Sequence, residues 1–220
     1  PVQIASLQTL ARRNWWKSER FDLIFFDEAH QTAFAQISQK IFENFKESLF
    51  VGLTATPYRL SKRQGLGDYF QILVSTPTTS ELQGLGLLAP MSYWGLPQPD
   101  LAGVRTIAGD FDSEGLKNAC DRPELVQRIV EEWHRLTPGK RTIAFCVDVE
   151  HAGHVADAFN AAGIAAAVVE GNTPIKERQQ LYADLHQGTL QVLTSCNVIS
   201  IGFDQPSVEV GILARPTKSL

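Results

Sequence analysis

Two adjacent acids stand where an apolar run stops in this 220-residue chain, at Phe21 to His30, FDLIFFDEAH. A carboxylate pair in that position suits phosphoryl transfer. Asp27 would hold a Mg2+ ion, directly or through water, beneath the phosphates of a nucleotide, while Glu28 orients and deprotonates the attacking water. The metal spreads the developing charge and the second acid positions the nucleophile, so the reaction needs both. Short polar side chains recur at Gly52 to Pro57, GLTATP, where Thr54 and Thr56 flank the small Ala55. Two hydroxyls so spaced can bond to the acidic segment on one side and to backbone on the other. Neither threonine has the adjacent base that would make it a nucleophile. A third polar group, Thr194, Ser195 and Asn197, leads into SCNVISIGFDQP at Ser195 to Pro206.

Positioning these groups requires a parallel sheet. An apolar run that ends in acids reads as a buried parallel strand delivering them to the C-terminal sheet edge, where open α/β sheets bind ligands. GLTATP ends a second such strand, and Pro57 stops the ladder. Between them Phe34, Ile37, Ile41 and Phe45 mark one face of a helix over Ala33–Phe45. VQIAS at Val2 to Ser6 and Phe70 to Val74 read as strands, and Glu81 to Leu88 as a short helix. Pro90 to Asp112 is rich in Pro and Gly and marks a junction. Beyond it, Asp121 is an N-cap candidate for a helix with Pro123 early and Leu125, Ile129 and Trp133 on its buried face. Strands at Arg141–Val149, Ile164–Val169, Leu190–Thr194 and Val208–Leu213 then alternate with helices at His151–Ala162 and Ile175–His186. That rhythm requires crossover connections and a parallel sheet.

Composition bounds the possibilities. The chain is 44% hydrophobic with net charge -4, enough for real cores and against a dedicated basic binding module. Three widely spaced cysteines, Cys120, Cys146 and Cys196, suggest a reducing, cytoplasmic compartment rather than a disulfide framework. No apolar stretch is long enough to span a membrane, and none resembles a signal peptide. His151 and His154 share a helix face, but no acid or cysteine at a compelling spacing completes a metal site.

FDEAH, GLTATP and SCNVISIGFDQP, in that order, resemble motifs II, III and V of the superfamily 2 helicases and translocases, in the DEAH-type branch seen in bacterial DNA repair and restriction. The resemblance implies an α/β fold of two RecA-like parallel-sheet domains, both incomplete. Residues 1–95 would be the C-terminal part of the first, 96–118 a junction, and 119–220 the N-terminal part of the second. It implies ATP and Mg2+ as cofactors, with Asp27 on the metal and Glu28 as hydrolytic base. His30, Thr54 and Thr56 would couple hydrolysis to strand grip. Ser6, Gln8 and Thr9 resemble motif Ib, which touches the phosphate backbone. Arg59, in the basic loop YRLSKRQGLG at Tyr58 to Gly67, would approach the same backbone, as would Thr194, Ser195 and Asn197. Gly202 would allow close approach to the nucleotide, and Asp204 would face its ribose or the arginines of motif VI. The family commonly has Glu where this chain has Ile201, so no carboxylate role is carried to that position.

No GxxxxGK[ST] occurs in the sequence. The resemblance places that phosphate-binding loop before Pro1 and the motif VI arginines after Ser219. The expectation is therefore a parent ATP-dependent DNA helicase or translocase, acting on DNA rather than RNA, whose isolated segment is inactive and self-associates through exposed sheet edges. Two alternatives stand beside it: a double-strand DNA translocase subunit of a nuclease or restriction system, and a degenerate non-catalytic scaffold.

Overall fold

Parallel strands bring the first unit's polar ends together, as the apolar runs require. The computed structural model describes residues 2–57, 65–95, 98–107, 109–199 and 203–218, and the chain divides into two units, Pro1–Met91 and Ser92–Leu220. In the first, α1 (Leu7–Arg12) starts at Ser6, whose Oγ accepts from the Thr9 amide at 3.2 Å. VQIAS is thus a lead-in to a helix and not a strand. Val2 and Ile4 are 91% and 96% exposed, and a strand without a ladder partner gains nothing from β-branched residues. A 3-10 turn at Trp15–Ser18 buries Trp16, whose indole N–H donates to the Leu10 carbonyl at 3.0 Å.

β1 (Leu23–Phe26) is followed by α2 (Ala29–Thr32), α3 (Gln36–Asn44) and β2 (Leu49–Gly52), which pairs parallel to β1 with Phe26 opposite Gly52. The helix expected over Ala33–Phe45 starts later, as α3 at Gln36, and the separate turn α2 precedes it. The Ser38 hydroxyl donates to the Thr32 carbonyl at 2.6 Å across the break, and Phe34 sits edge-on to Tyr69 at 5.2 Å rather than in the core. Trp16, Phe26, Ala29, Ile41 and Phe45 form that core. α4 (Thr79–Gly84) opens with a reciprocal cap, Thr78 amide to Glu81 carboxylate and Glu81 amide to Thr78 hydroxyl. Phe70 to Val74 forms no strand; Ile72 and Val74 are about 80% exposed.

In the second unit, β3 (Thr106–Ile107) and β4 (Asp110–Phe111) make a short antiparallel hairpin before α5 (Ser113–Cys120). α6 (Pro123–Leu136) has Pro123 at its first position, capped by Arg122 and not by Asp121, which ends α5. Its buried stripe runs Val126, Ile129, Val130 and Trp133, with Leu125 only half-buried beside it. Then come β5 (Thr142–Phe145), α7 (Val149–Ala161), β6 (Ala166–Val169), α8 (Ile175–Gln187), β7 (Val192–Ser195) and β8 (Val210–Leu213). The four strands lie in the order β6-β7-β5-β8, all parallel, as the alternation of strands and helices implied.

Period two along each strand splits the core into two layers. Ala144, Val192 and Ile212 pack with α6 and α7 residues Val130, Trp133, Val155 and Phe159. Ile143, Val169 and Leu193 pack with Leu185 of α8 on the other side. The Trp133 indole N–H donates to the buried Thr142 hydroxyl at 2.6 Å, and that hydroxyl donates to the Lys140 carbonyl at 2.8 Å. A wholly buried polar side chain is thereby satisfied at the start of the central strand. This is a parallel α/β fold, with loops at the C-terminal strand ends where the polar residues of the sequence lie.

Candidate functional site

Asp27 follows the last residue of β1, and Glu28 caps α2 with φ 48° and ψ 50°. That left-handed conformation is rare for a residue with a Cβ and costs about 1–3 kcal/mol where it occurs. Neighbouring bonds hold it. The Glu28 amide donates to Asp27 Oδ1 at 3.0 Å, and the Thr32 hydroxyl donates to the carbonyls of Asp27 and Glu28 at 2.7 and 3.1 Å. The Ala29 amide donates to the Leu53 carbonyl at 2.9 Å and the Leu53 amide to the Phe26 carbonyl at 2.8 Å, so the ends of β1 and β2 are stitched together.

His30 completes the link. Its Nδ1 lies 2.9 Å from Thr54 Oγ1 and 3.4 Å from Glu28 Oε2. The Thr54 hydroxyl also accepts from the Thr56 amide at 3.1 Å, which shapes the turn. Glu28, His30 and Thr54 are thus one connected group. Gly52 is required beneath it, since a Cβ there would lie 2.7 Å from Phe70 Cζ and 2.9 Å from Ala29 Cβ. Asp27 is exposed, with one carboxylate oxygen engaged by a backbone amide.

Ser6, Gln8 and Thr9 are exposed at the start of α1, where the Ser6 and Thr9 hydroxyls lie 2.9 Å apart. Arg59 lies outside the described residues, and so does Gly202.

In the second unit the polar cluster after β7 separates by burial. Thr194 and Ser195 are inaccessible. The Thr194 hydroxyl donates to the Ala152 carbonyl at 2.8 Å, and Ser195 Oγ accepts from the Ile199 amide at 3.4 Å. Asn197 is exposed, has φ 55°, and its Oδ1 accepts from Arg215 Nη1 at 3.0 Å. Asp204 is exposed. Nothing in the sequence pairs Arg215 with a residue 18 positions away.

The histidines of α7 do structural work. His154 Nδ1 is 2.9 Å from Asp121 Oδ1, a bond that raises its pKa. His151 is buried, accepts from the Val147 amide at 3.3 Å, and has its pKa lowered by burial. Among the described residues no cluster of three or more His, Cys, Asp or Glu could hold a metal. Among them, too, no helix is long and apolar enough to cross a membrane.

Residues 1–59 match the family model described as Type III restriction enzyme, res subunit, and residues 121–220 match the Helicase conserved C-terminal domain. A 51.5 kDa protein of a Lactococcus phage (isolate 7-9) is 35% identical over 198 residues, covering 90% of this chain and 43% of that protein. The Saccharomyces cerevisiae protein named "Putative ATP-dependent helicase IRC3" is 28% identical over 229 residues, covering 99% of this chain and 33% of its own length. Among solved structures, the "fragment structure of a putative HsdR subunit of a type I restriction enzyme" from Vibrio vulnificus superposes with a TM-score of 0.61 at 22% identity. That match covers 89% of this chain and 37% of the other, and at that identity it speaks for the fold alone. The chain spans less than half the length of these two curated relatives.

Proposed function

We infer, for a chain that belongs to the superfamily 2 helicases and translocases, that the whole protein is an ATP-dependent motor of the DEAH-type branch moving along a nucleic-acid backbone. The observation that supports this reading best is the connected group Glu28–His30–Thr54 at the ends of two parallel strands, beside the exposed Asp27. Glu28 accepts the proton of the water that attacks the terminal phosphate. Its left-handed backbone turns the segment sharply after β1, so both acids stay at the strand end.

The donor set fits a Mg2+ ion, which keeps most of its water and phosphate ligands and takes only one or two protein carboxylates. Asp27 would hold it, directly or through water, and when bound the ion neutralises charge growing on the transferred phosphoryl group. His30 reports the state of Glu28 to Thr54, and Thr54 sets the turn that carries Thr56.

Ser6, Gln8, Thr9, Arg59 and Asn197 would contact the sugar-phosphate backbone, which suits movement without base reading. Thr194 and Ser195 would shape the turn that carries Asn197, since buried hydroxyls bonded to the main chain do not touch a strand. Gly202 and Asp204 would face the nucleotide. The restriction-subunit match over residues 1–59 favours DNA over RNA. A reducing compartment, the cytoplasm, suits cysteines that are free and largely buried.

The same match supports a second reading, a double-strand translocase subunit of a restriction system. Nucleic-acid-stimulated ATP hydrolysis by the full-length protein, beside Glu28→Gln, tests the motor. Turnover that collapses in the variant supports it, and a folded protein without turnover sinks it in favour of a scaffold. Strand separation by the active protein would select helicase, and its absence with triplex displacement would select the translocase.

A further inference from the structure

Arg215, just past β8, joins two loops of the second unit that lie far apart in sequence. Its Nη1 donates to Asn197 Oδ1 at 3.0 Å, and its Nη2 lies 3.7 Å from Asp110 Oδ2. Asp110 belongs to the β3–β4 hairpin and gathers more than the arginine. It accepts from its neighbour Phe111's amide at 2.8 Å, from the Lys218 amide at 2.9 Å and from the Thr217 hydroxyl at 3.1 Å. The Lys218 ammonium bonds Thr106 and lies 4.6 Å over the Phe111 ring. These bonds fasten residues 215–218 to the hairpin.

Asn197 needs such a hold. With φ 55° it occupies a region that asparagine visits more readily than most residues, helped by side-chain hydrogen bonding. Its neighbours are fixed internally: the Cys196 thiol donates to the Val147 carbonyl at 3.2 Å, and Ser195 is buried. Among the described residues Asn197 is therefore the exposed polar residue of that turn, and its carboxamide oxygen accepts from Arg215. A freely exposed arginine would serve as a phosphate ligand in its own right. This one is two-thirds covered and shared between a carboxylate and an amide oxygen, so its charge is already partly balanced.

We propose that Arg215 is a positioning residue: by bridging Asp110 of the hairpin and Asn197 of the turn after β7, it fixes the left-handed turn that offers Asn197 to a nucleic-acid backbone. The inference rests on the nucleic-acid reading above and adds to it a specific support for the grip. The low pKa direction of Asp110, caused first by the Lys218 amide, keeps that carboxylate ionised as a partner.

The test uses the full-length protein with Arg215→Met, Asn197→Gly, the double variant and Arg215→Lys. Hydrogen–deuterium exchange without nucleic acid reads the bridge directly, and the oligonucleotide concentration that half-saturates ATP hydrolysis reads the grip. Arg215→Met should speed exchange in both 196–199 and 106–111. It should raise the half-saturating concentration about 3–10-fold while leaving kcat at saturation within about two-fold. In the Asn197→Gly background the same change should add little further loss, and Arg215→Lys should restore part of the grip. Unaltered exchange, additive losses or a fall in kcat alone would overturn the proposal. A wild-type protein that neither binds oligonucleotide nor is stimulated by it fails the motor reading itself, and Arg215 loses this role with it. A stimulated wild type with additive variants fails the bridge alone.

Discussion

His30 Nδ1 and Thr54 Oγ1 lie 2.9 Å apart across 24 residues of sequence, joining the ends of two parallel strands through side chains. The Thr54 oxygen also receives the Thr56 amide, so one hydroxyl links the acid segment to the next turn. Thr54→Val keeps the shape and removes the link. Losing a part-buried hydrogen bond costs about 1 kcal/mol of stability. Under the motor reading, nucleic-acid stimulation of ATP hydrolysis should fall about ten-fold, or ~1.4 kcal/mol, with basal hydrolysis changed less. Equal loss of basal and stimulated rates would assign Thr54 to chemistry instead of coupling.

Gly52 has no room for a methyl group. Gly52→Ala would press against Phe70 and Ala29 and should destabilise the first unit by about 1–3 kcal/mol, the usual cost of overpacking. Gly153 of α7 is the control, since nothing lies within 4 Å of its added Cβ. Gly153→Ala should stabilise the second unit by about 0.5–1 kcal/mol through helix propensity. Urea denaturation of each variant separates the two signs, and a neutral Gly52→Ala would refute the close contact.

Trp133 combines packing with a buried hydrogen bond. It meets Phe159 edge-on at 5.5 Å and donates to Thr142 at 2.6 Å. Trp133→Phe keeps a ring but removes the donor, and should cost about 1–3 kcal/mol. Thr142→Val in the Trp133→Phe background should add less than it does alone, because the two groups share one bond. Additive losses in the denaturation midpoint would show that packing alone matters there.

Glu209 supplies a pH test. Lys140 above all, then the Arg141 amide, holds its carboxyl down to about 2 from an ordinary 4.5. A depressed acid contributes stability that is complete above the unfolded value and disappears as pH falls through the folded one. The difference in Tm between wild type and Glu209→Gln should therefore be present at pH 7, shrink below pH 4.5 and vanish near pH 2. It should also be small, below about 1 kcal/mol, because the ion pairs are solvent-accessible. A difference that persists unchanged at pH 2 would rule out the ionised carboxylate as its source.

Much of the second unit was legible because apolar runs and helix periods agree there. Strands near Ile143, Val168 and Leu193 appear where expected but shorter, and the helices between them appear with bounds shifted by one or two residues. The strands expected at VQIAS and Phe70–Val74 are absent for one shared reason. β-Branched composition shows that a segment fits a sheet, and a strand also needs a neighbour to complete its ladder. The late start of α3 was hidden because Phe34 matches the helical period, yet it precedes the helix and packs on Tyr69.

Sequence by itself determined that acids and short hydroxyls stand at the ends of apolar strands, because strand hydrophobicity and its abrupt stop are local properties. It also determined their order along the chain, which carried the family resemblance. Only the tertiary structure decided which polar groups remain accessible. Thr194 and Asn197 look alike in the sequence, but β7 runs through the middle of a four-stranded sheet and buries the first, while the turn after it exposes the second. The bridge of Asp110, Arg215 and Asn197 is likewise tertiary: parallel pairing on β5 brings the ends of β7 and β8, and so Asn197 and Arg215, to one sheet edge, while Asp110 comes from a separate antiparallel hairpin far away in sequence.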